Sequence, residues 1–195
     1  MRIIAGQYRS RPLRALPGLD TRPTSDRLRE TLFNVLTAGH PAALAGSVWL
    51  DLFAGTGAVG LEALSRGARL VYFVDSSRGA TAAIRDNLRR LGVSEGFRIV
   101  ERVVASALSV LEAAGEACGY CFLDPPYRRA DLYEETLSLL ARSRLLTAGS
   151  AVCAEHQKFF DPGESFGPLR RYRRLQQGDA CLSFYRLHGE AGEES

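Results

Sequence analysis

The sequence predicts an α/β fold of the Rossmann-like type, in which helices cover a mostly parallel β-sheet. From about Val48, short apolar segments alternate with amphipathic ones, which is the usual pattern of β-α-β units. A glycine-rich turn follows the first apolar segment, between Asp51 and Gly60. Near the C-terminus, residues 173–175 and the largely apolar 181–186 are separated by a short polar turn, which indicates an antiparallel hairpin at one edge of the sheet.

The individual elements follow from the spacing of apolar residues. Apolar runs bounded by turn residues are typical of buried strands, whereas apolar residues three and four positions apart indicate a helix with one buried face. The predicted strands are 48–51, 70–75, 97–100, 120–123 and 151–155, with the hairpin at 173–175 and 181–186. The predicted helices are 59–66, 78–91, 107–113 and 132–142. In helix 78–91 the residues expected on the buried face are Ala82, Ile84, Leu88 and Leu91.

Two flanking segments differ in character from this central pattern. Residues 1–40 are predicted to form a small basic extension, in which 2–6 and 11–15 pair as a short ribbon and a helix follows. Either Ser25 or Asp26 can cap that helix, since both side chains can accept backbone hydrogen bonds. Its expected buried residues are Leu28, Leu32, Phe33 and Leu36. The main domain is predicted to span 41–188, and the tail 189–195 is expected to be disordered.

Length and composition limit the class of protein. With 195 residues, of which 46% are hydrophobic, the chain can bury one substantial core. No apolar run is long enough for a membrane span or a signal peptide, so we expect a cytoplasmic protein that does not bind a membrane. We also expect a monomer.

Four cysteines occur, including the pair Cys118 and Cys121, whose spacing is compatible with a metal or redox site. Both lie in apolar sequence, and no second pair or histidine cluster completes a zinc site. We therefore expect buried, reduced thiols and no metal.

Basic residues are concentrated near the N-terminus. The net charge is only +3, and Lys158 is the sole lysine among 25 basic residues. The first 30 residues contain seven arginines but only three acidic residues. These candidate RNA contacts are Arg2, Arg9, Arg11, Arg14, Arg22, Arg27 and Arg29. A second basic cluster, 170–174, is interpreted as a charged strand edge.

The glycine-rich turn predicts a nucleotide-like ligand. Gly55 and Gly57 allow backbone to approach a ligand closely. Asp75, at the end of the second strand, can accept hydrogen bonds from both ribose hydroxyls. The same pattern also describes a dinucleotide site, but Asp51 favours a ligand with a cationic amino-acid end. The candidate cofactor-binding residues are Asp51, Phe53, Ala54, Gly55, Gly57, Asp75, Ser76 and Ser106.

A second motif, Asp124-Pro125-Pro126-Tyr127, follows the fourth strand at the same edge of the sheet. The Asp124 carboxylate and the Pro125 carbonyl can hold the two hydrogens of an exocyclic amine and direct its lone pair toward a methyl donor. Tyr127 offers a flat face to a base that has left its stack. Together the two motifs predict methyl transfer from S-adenosylmethionine to a base amine.

With both motifs in hand, the chain resembles the RsmD family of bacterial methyltransferases. The resemblance covers most of the chain and includes 2–6 (RIIAG), 22–34 (RPTSDRLRETLFN), 51–57 (DLFAGTG), 61–68 (LEALSRGA), 124–127 (DPPY) and 178–185 (GDACLSFY). It implies a class I S-adenosylmethionine-dependent fold and methylation of a guanine N2 amine in 16S ribosomal RNA or the small ribosomal subunit. The chain departs from the family in having Asp75 in place of a glutamate and Ser106 in place of an acid.

Other functions remain open at the level of sequence. Asp124-Pro125-Pro126-Tyr127 serves adenine N6 as well as guanine N2, so a DNA or tRNA amine methyltransferase is one alternative. An NAD-dependent dehydrogenase explains the glycines and Asp75 but gives the second motif no role. A catalytically silent RNA-binding module would bind RNA without methyl transfer.

Overall fold

The computed structural model describes residues 1–15 and 24–188. The helices are α1 (Asp26–Leu36), α2 (Ala58–Ser65), α3 (Arg78–Leu91), α4 (Val104–Ala113) and α5 (Asp131–Arg142). The strands are β1 (Val48–Leu52), β2 (Leu70–Val74), β3 (Phe97–Val100), β4 (Cys118–Leu123), β5 (Leu146–Gln157), β6 (Ser165–Phe166), β7 (Leu169–Gln177) and β8 (Ala180–Leu187).

The eight strands form one sheet in the order β3-β2-β1-β4-β5-β8-β7-β6. Strands β1 to β5 pair in parallel, and β8 joins antiparallel to β5, which confirms the predicted fold class. The strand order reverses between β1 and β4, where open α/β sheets bind their ligands. Register places Leu52 beside Leu123, and Leu123 beside Ala154. The residues that follow these three positions therefore emerge together at one edge.

Several element boundaries differ from the predicted ones. Strand β5 runs from Leu146 to Gln157, because pairing with β4 and β8 continues past the apolar run into polar positions. Helix α4 begins at Val104, three residues early, and β6 was missed because two residues show no periodicity. Ala82 is exposed, whereas Ala83 lies on the buried face of α3.

Each face of the sheet has its own apolar core. One core contains Trp49 and residues from α1, α2 and α3, and the other contains Leu123 and residues from α4 and α5. Trp49 stacks between Phe33 of α1 and Tyr120 of β4, at ring-centroid distances of 5.3 and 5.4 Å. Helix α1 thus packs on the same face of the sheet as α2, the helix that follows the glycine turn.

The N-terminal segment is held on α2 by a buried carboxylate. Glu62 is fully buried, and its two oxygens accept hydrogen bonds from the backbone N–H groups of Ile4 (2.7 Å) and Ala5 (3.0 Å). Arg66 donates a further bond to the same carboxylate at 2.8 Å. The predicted ribbon is only a single antiparallel bridge, between Arg2 and Pro12. The N-terminal segment is therefore held mainly by its hydrogen bonds to Glu62 of α2, in addition to the bridge between Arg2 and Pro12.

The N-cap of α1 is Ser25, whose hydroxyl accepts a hydrogen bond from the N–H of Leu28 at 3.1 Å. The predicted burial of Leu28, Leu32 and Phe33 is confirmed, while Leu36 is half-buried. The expected tail, 189–195, lies outside the described residues. Among the helices described here, none has both the length and the apolar character needed to cross a membrane.

We expect Glu62→Gln to destabilise the protein by about 1–3 kcal/mol, because the amide group would leave one partly buried backbone N–H, of Ile4 or Ala5, without an acceptor. Urea unfolding measures the difference. The matched control is Glu135→Gln, on the exposed side of α5, which should change the free energy of unfolding by less than about 0.5 kcal/mol. Equal stability of the two variants would show that the Glu62 anchor contributes nothing measurable.

A candidate active site at the carboxyl edge of the sheet

The glycine turn after β1 presents its backbone to open space. Phe53, Gly55 and Gly57 all have positive φ angles, of 58°, 56° and 76°. A Cβ atom at Gly55 would meet no atom within 4 Å, so the space beside this residue can admit a ligand. The N–H of Ala54 donates to the carbonyl of Val74 at 3.0 Å, which fixes the turn against β2.

Asp51 lies beneath this turn, at 1% exposure. Its carboxyl group accepts a hydrogen bond from the N–H of Gly60 at 2.9 Å. Burial, opposed by that hydrogen bond and aided by the charge of Asp75, raises the pKa of Asp51 to about 8. Gly60 is required here because a Cβ would lie 2.4 Å from a ring carbon of Phe73. A cation placed near Asp51 would lower this pKa and so favour the negatively charged carboxylate.

Asp75 joins the two turns that border this space. One oxygen accepts from the N–H of Gly55 at 2.9 Å and the other from the N–H of Ser77 at 2.8 Å. A carboxylate has about four lone-pair sites, so these two bonds leave capacity for ribose hydroxyls. Ser76 is exposed beside Asp75, and Ser106 lies half-buried in the first turn of α4. The arrangement fits a nucleoside that carries a cationic amino-acid end.

The second motif follows β4 next to the glycine turn. The backbone N–H of Asp124 donates to the carbonyl of Leu52 in β1 at 3.4 Å. Burial, with added repulsion from Glu155 and Asp51, raises the pKa of Asp124 well above its usual value. Pro125 is buried, while Pro126 is exposed and Tyr127 half-buried. Asp124 therefore binds protons more readily than an ordinary aspartate.

Glu155 is a site residue that the sequence analysis placed only at a strand end. It is 2% exposed and follows Ala154, the β5 partner of Leu123. Its carboxylate accepts a hydrogen bond from the hydroxyl of Thr24 at 2.7 Å. The signal in the sequence was an acid at the end of the predicted strand 151–155, whereas its position beside Asp124 depends on strand register.

A cleft of about 470 Å³ opens beside Tyr127 and Glu155. Phe159, in its wall, is 91% exposed, and the ammonium of Lys158 lies 4.7 Å from the centre of its ring. The complete lining is Ser25, Leu28, Tyr127, Glu155, Gln157, Lys158, Phe159, Gln177, Asp179 and Ala180. The cleft thus combines aromatic, cationic and acidic groups beside the second motif.

The candidate RNA-binding arginines fall into three groups. Those exposed are Arg2, Arg9, Arg11, Arg14 and Arg27. Arg22 lies outside the described residues. Arg29 does not fit the prediction, because its side chain is fully buried and donates hydrogen bonds to the carbonyls of Thr24 and Arg2. It also pairs with Asp26 at 3.0 Å, so its role is to hold the N-terminal segment on α1.

All four cysteines are buried with free thiols. Burial raises the pKa of Cys118 to about 12, and that of Cys121 rises in the same direction. Across residues 1–15 and 24–188, no three His, Cys, Asp or Glu side chains are grouped to hold a metal ion.

Known proteins match this chain over nearly its full length. The family described as Conserved hypothetical protein 95 matches residues 1–186. A putative rRNA methyltransferase of Bacillus subtilis, YlbH, is 33% identical over 191 residues, which are 97% of this chain and 100% of that protein. Ribosomal RNA small subunit methyltransferase D of Escherichia coli is 39% identical over 159 residues, 80% of this chain and 75% of that protein.

Solved structures described as methyltransferases are also similar to this chain. A putative methyltransferase from Escherichia coli, yhhF, superposes with a TM-score of 0.79 at 33% identity, covering 96% of this chain and 98% of that chain. A putative methyltransferase complexed with SAH shares the fold alone, with a TM-score of 0.66 at 14% identity. The chain therefore belongs to the family described as Conserved hypothetical protein 95, which is the RsmD family that its motifs indicated.

Proposed function

We propose that the protein transfers a methyl group from S-adenosylmethionine to the N2 amine of a guanine in 16S ribosomal RNA, within the small ribosomal subunit. The observation that supports this most directly is the position of Asp124-Pro125-Pro126-Tyr127 beside the open glycine turn, at the point where the strand order reverses. Relatives named as ribosomal RNA methyltransferases support the substrate class. We further propose that the enzyme acts as a monomer in the cytoplasm.

The cofactor site is assigned to the loops after β1 and β2 and to the first turn of α4. Backbone of Phe53, Ala54 and Gly55 would line the space for the nucleoside. Gly57, expected to do the same, is buried, and a Cβ there would lie 3.1 Å from Ile84 and 3.2 Å from Phe73, so its lack of a side chain serves packing of the turn. Asp75 would accept the ribose hydroxyls with Ser76 beside it, Asp51 would hold the cationic amino-acid end, and Ser106 would contact the adenine. When bound, S-adenosylmethionine supplies a methyl group activated by a positively charged sulfur.

The reaction needs the amine lone pair to point at that methyl group. Asp124 and the carbonyl of Pro125 accept the two amine hydrogens, while Tyr127 stacks on the base, a contact worth about 1–3 kcal/mol. With the amine held in this way, a bound S-adenosylmethionine would supply the methyl group to the nitrogen and leave as the neutral thioether. The nitrogen then loses one proton, which the Asp124 carboxylate that holds the amine hydrogen is placed to accept.

The function is tested by supplying labelled S-adenosylmethionine with small ribosomal subunits that lack their guanine-N2 methylation, with naked 16S RNA, tRNA and DNA in parallel. Label on guanine N2 of the subunits supports the proposal. Label on adenine N6 of DNA or tRNA favours the first alternative, and RNA binding without label favours a silent binding module. Binding of a nicotinamide dinucleotide in place of S-adenosylmethionine would support a dehydrogenase.

Replacing Asp124 with alanine should lower the rate of methyl transfer at least about 100-fold, because one of the two acceptors that orient the amine is lost. Cofactor affinity, measured by calorimetry, should remain nearly unchanged. Asp131→Ala is the matched control, since Asp131 is exposed at the start of α5 and pairs with Arg129. Full activity in Asp124→Ala would remove this residue from the mechanism.

Cofactor affinity should rise with pH between 6 and 7.5. The pKa of Asp51 is raised to about 8, so the group is mostly protonated in this range and must lose its proton to face a cation. The affinity gain should approach tenfold per pH unit, with protons released on binding. Below pH 7.5 the ligand's own amino group stays largely charged. Asp51→Asn should abolish the trend, and a pH-independent affinity in the wild type would contradict the assignment.

Replacing Arg9 and Arg27 together with alanine should weaken RNA binding and reduce the slope of log K against log salt by about one unit per arginine. Both side chains are exposed and border the same surface hollow. Arg98→Ala, an exposed arginine on the edge strand β3 that does not border this hollow, serves as the control. An unchanged slope in the double variant would mean that RNA binds elsewhere.

A further inference from the structure

We propose that Glu155 selects guanine by accepting the hydrogen bond of its N1–H while Asp124 holds the adjacent N2 amine. This inference rests on the proposed function and goes beyond it, because it identifies which group distinguishes guanine from adenine. None of the motifs that indicated the family includes Glu155.

The geometry begins with strand register. Leu123 of β4 pairs with Ala154 of β5, so Asp124 and Glu155 are the next residues on neighbouring parallel strands. Adjacent strands lie about 4.8 Å apart, and residues at matching positions project to the same face. Glu155 lines the cleft together with Tyr127, the proposed stacking residue. A base stacked on Tyr127 would therefore meet both carboxyl groups along one edge.

Glu155 is held in place from both its side chain and its backbone. The hydroxyl of Thr24 donates to its carboxylate at 2.7 Å, and the hydroxyl of Tyr133 donates to its carbonyl oxygen at 2.8 Å. Both Tyr133 and Thr24 are themselves buried. A carboxylate can accept several hydrogen bonds at once, so the bond from Thr24 is compatible with a further one from a base. Thr24 is thus a positioning residue, because it orients the Glu155 carboxylate that would hydrogen-bond to the base.

The chemistry of the two purines differs along this edge. Guanine presents N1–H and the N2 amine side by side, both of which donate hydrogen bonds. Adenine presents its N6 amine beside an unprotonated N1, which is an acceptor. Two neighbouring carboxylates complement the first pattern and repel the second. Burial and the neighbouring Glu155 raise the pKa of Asp124, and two base donors would favour the charged form of both carboxyl groups.

The test uses 2-aminopurine, which keeps the 2-amine but has an acceptor at N1. The guanine that is methylated in the assay above is replaced by 2-aminopurine through ligation of a synthetic RNA fragment, and the RNA is reassembled into subunits. The wild type should methylate the guanine substrate roughly 10- to 100-fold more efficiently than the 2-aminopurine one. The measured quantity is the ratio of the two kcat/KM values.

Glu155→Gln should reduce that preference at least tenfold, because its amide can donate to the N1 of 2-aminopurine as well as accept from the N1–H of guanine. The missing O6 of 2-aminopurine affects both enzymes equally, so the change in ratio reports on N1 alone. Asp131→Asn should keep the wild-type ratio. If Glu155→Gln does not fold, Thr24→Val provides the second variant and should lower the preference by loosening Glu155.

The outcomes separate the two proposals. A wild type that methylates guanine and 2-aminopurine equally well, or a Glu155→Gln variant that keeps the full preference while losing overall activity, would overturn the role of Glu155 alone. No methyl transfer to any guanine substrate by the wild type would overturn the proposed function, and this inference with it.

Discussion

Acidic residues at the carboxyl ends of neighbouring parallel strands are the feature on which the rest of the site depends. Asp51 belongs to β1, Asp75 follows β2, Asp124 follows β4 and Glu155 lies near the end of β5. Parallel pairing brings these ends to one edge, where water is largely excluded from Asp51 and Glu155. Grouping acids in this way is unfavourable until donors or cations arrive, so the site is arranged for a cationic cofactor and a hydrogen-bond-donating base.

The N-terminal segment contributes to this edge from outside the sheet. Glu62 holds its first residues on α2, and buried Arg29 ties it to α1. Thr24, just before α1, then reaches the Glu155 carboxylate. The segment that was predicted to form a basic extension with RNA contacts therefore also positions an acidic group in the site. Stability of the extension and selection of the base are linked through these hydrogen bonds.

The two motifs have different roles in the proposed reaction. The glycine turn provides backbone and open space, which suits a large and flexible ligand. The second motif provides rigid acceptors, since neither Pro125 nor Pro126 has an N–H and both have restricted backbone angles. The motifs follow β1 and β4, which are adjacent in the sheet, so a methyl donor bound at the first would lie close to an amine held by the second. Catalysis in such a site rests chiefly on orientation.

The sequence by itself determined the fold class, the order of the central elements and both motifs, because apolar periodicity and turn chemistry are local signals. It could not reveal that Arg29 is buried, that β5 extends over Leu146–Gln157, or that Glu155 adjoins Asp124. Those facts depend on contacts between residues far apart in the chain, such as Thr24 with Glu155 across 131 positions. Strand register and helix docking decide such contacts, and only the tertiary structure specifies them.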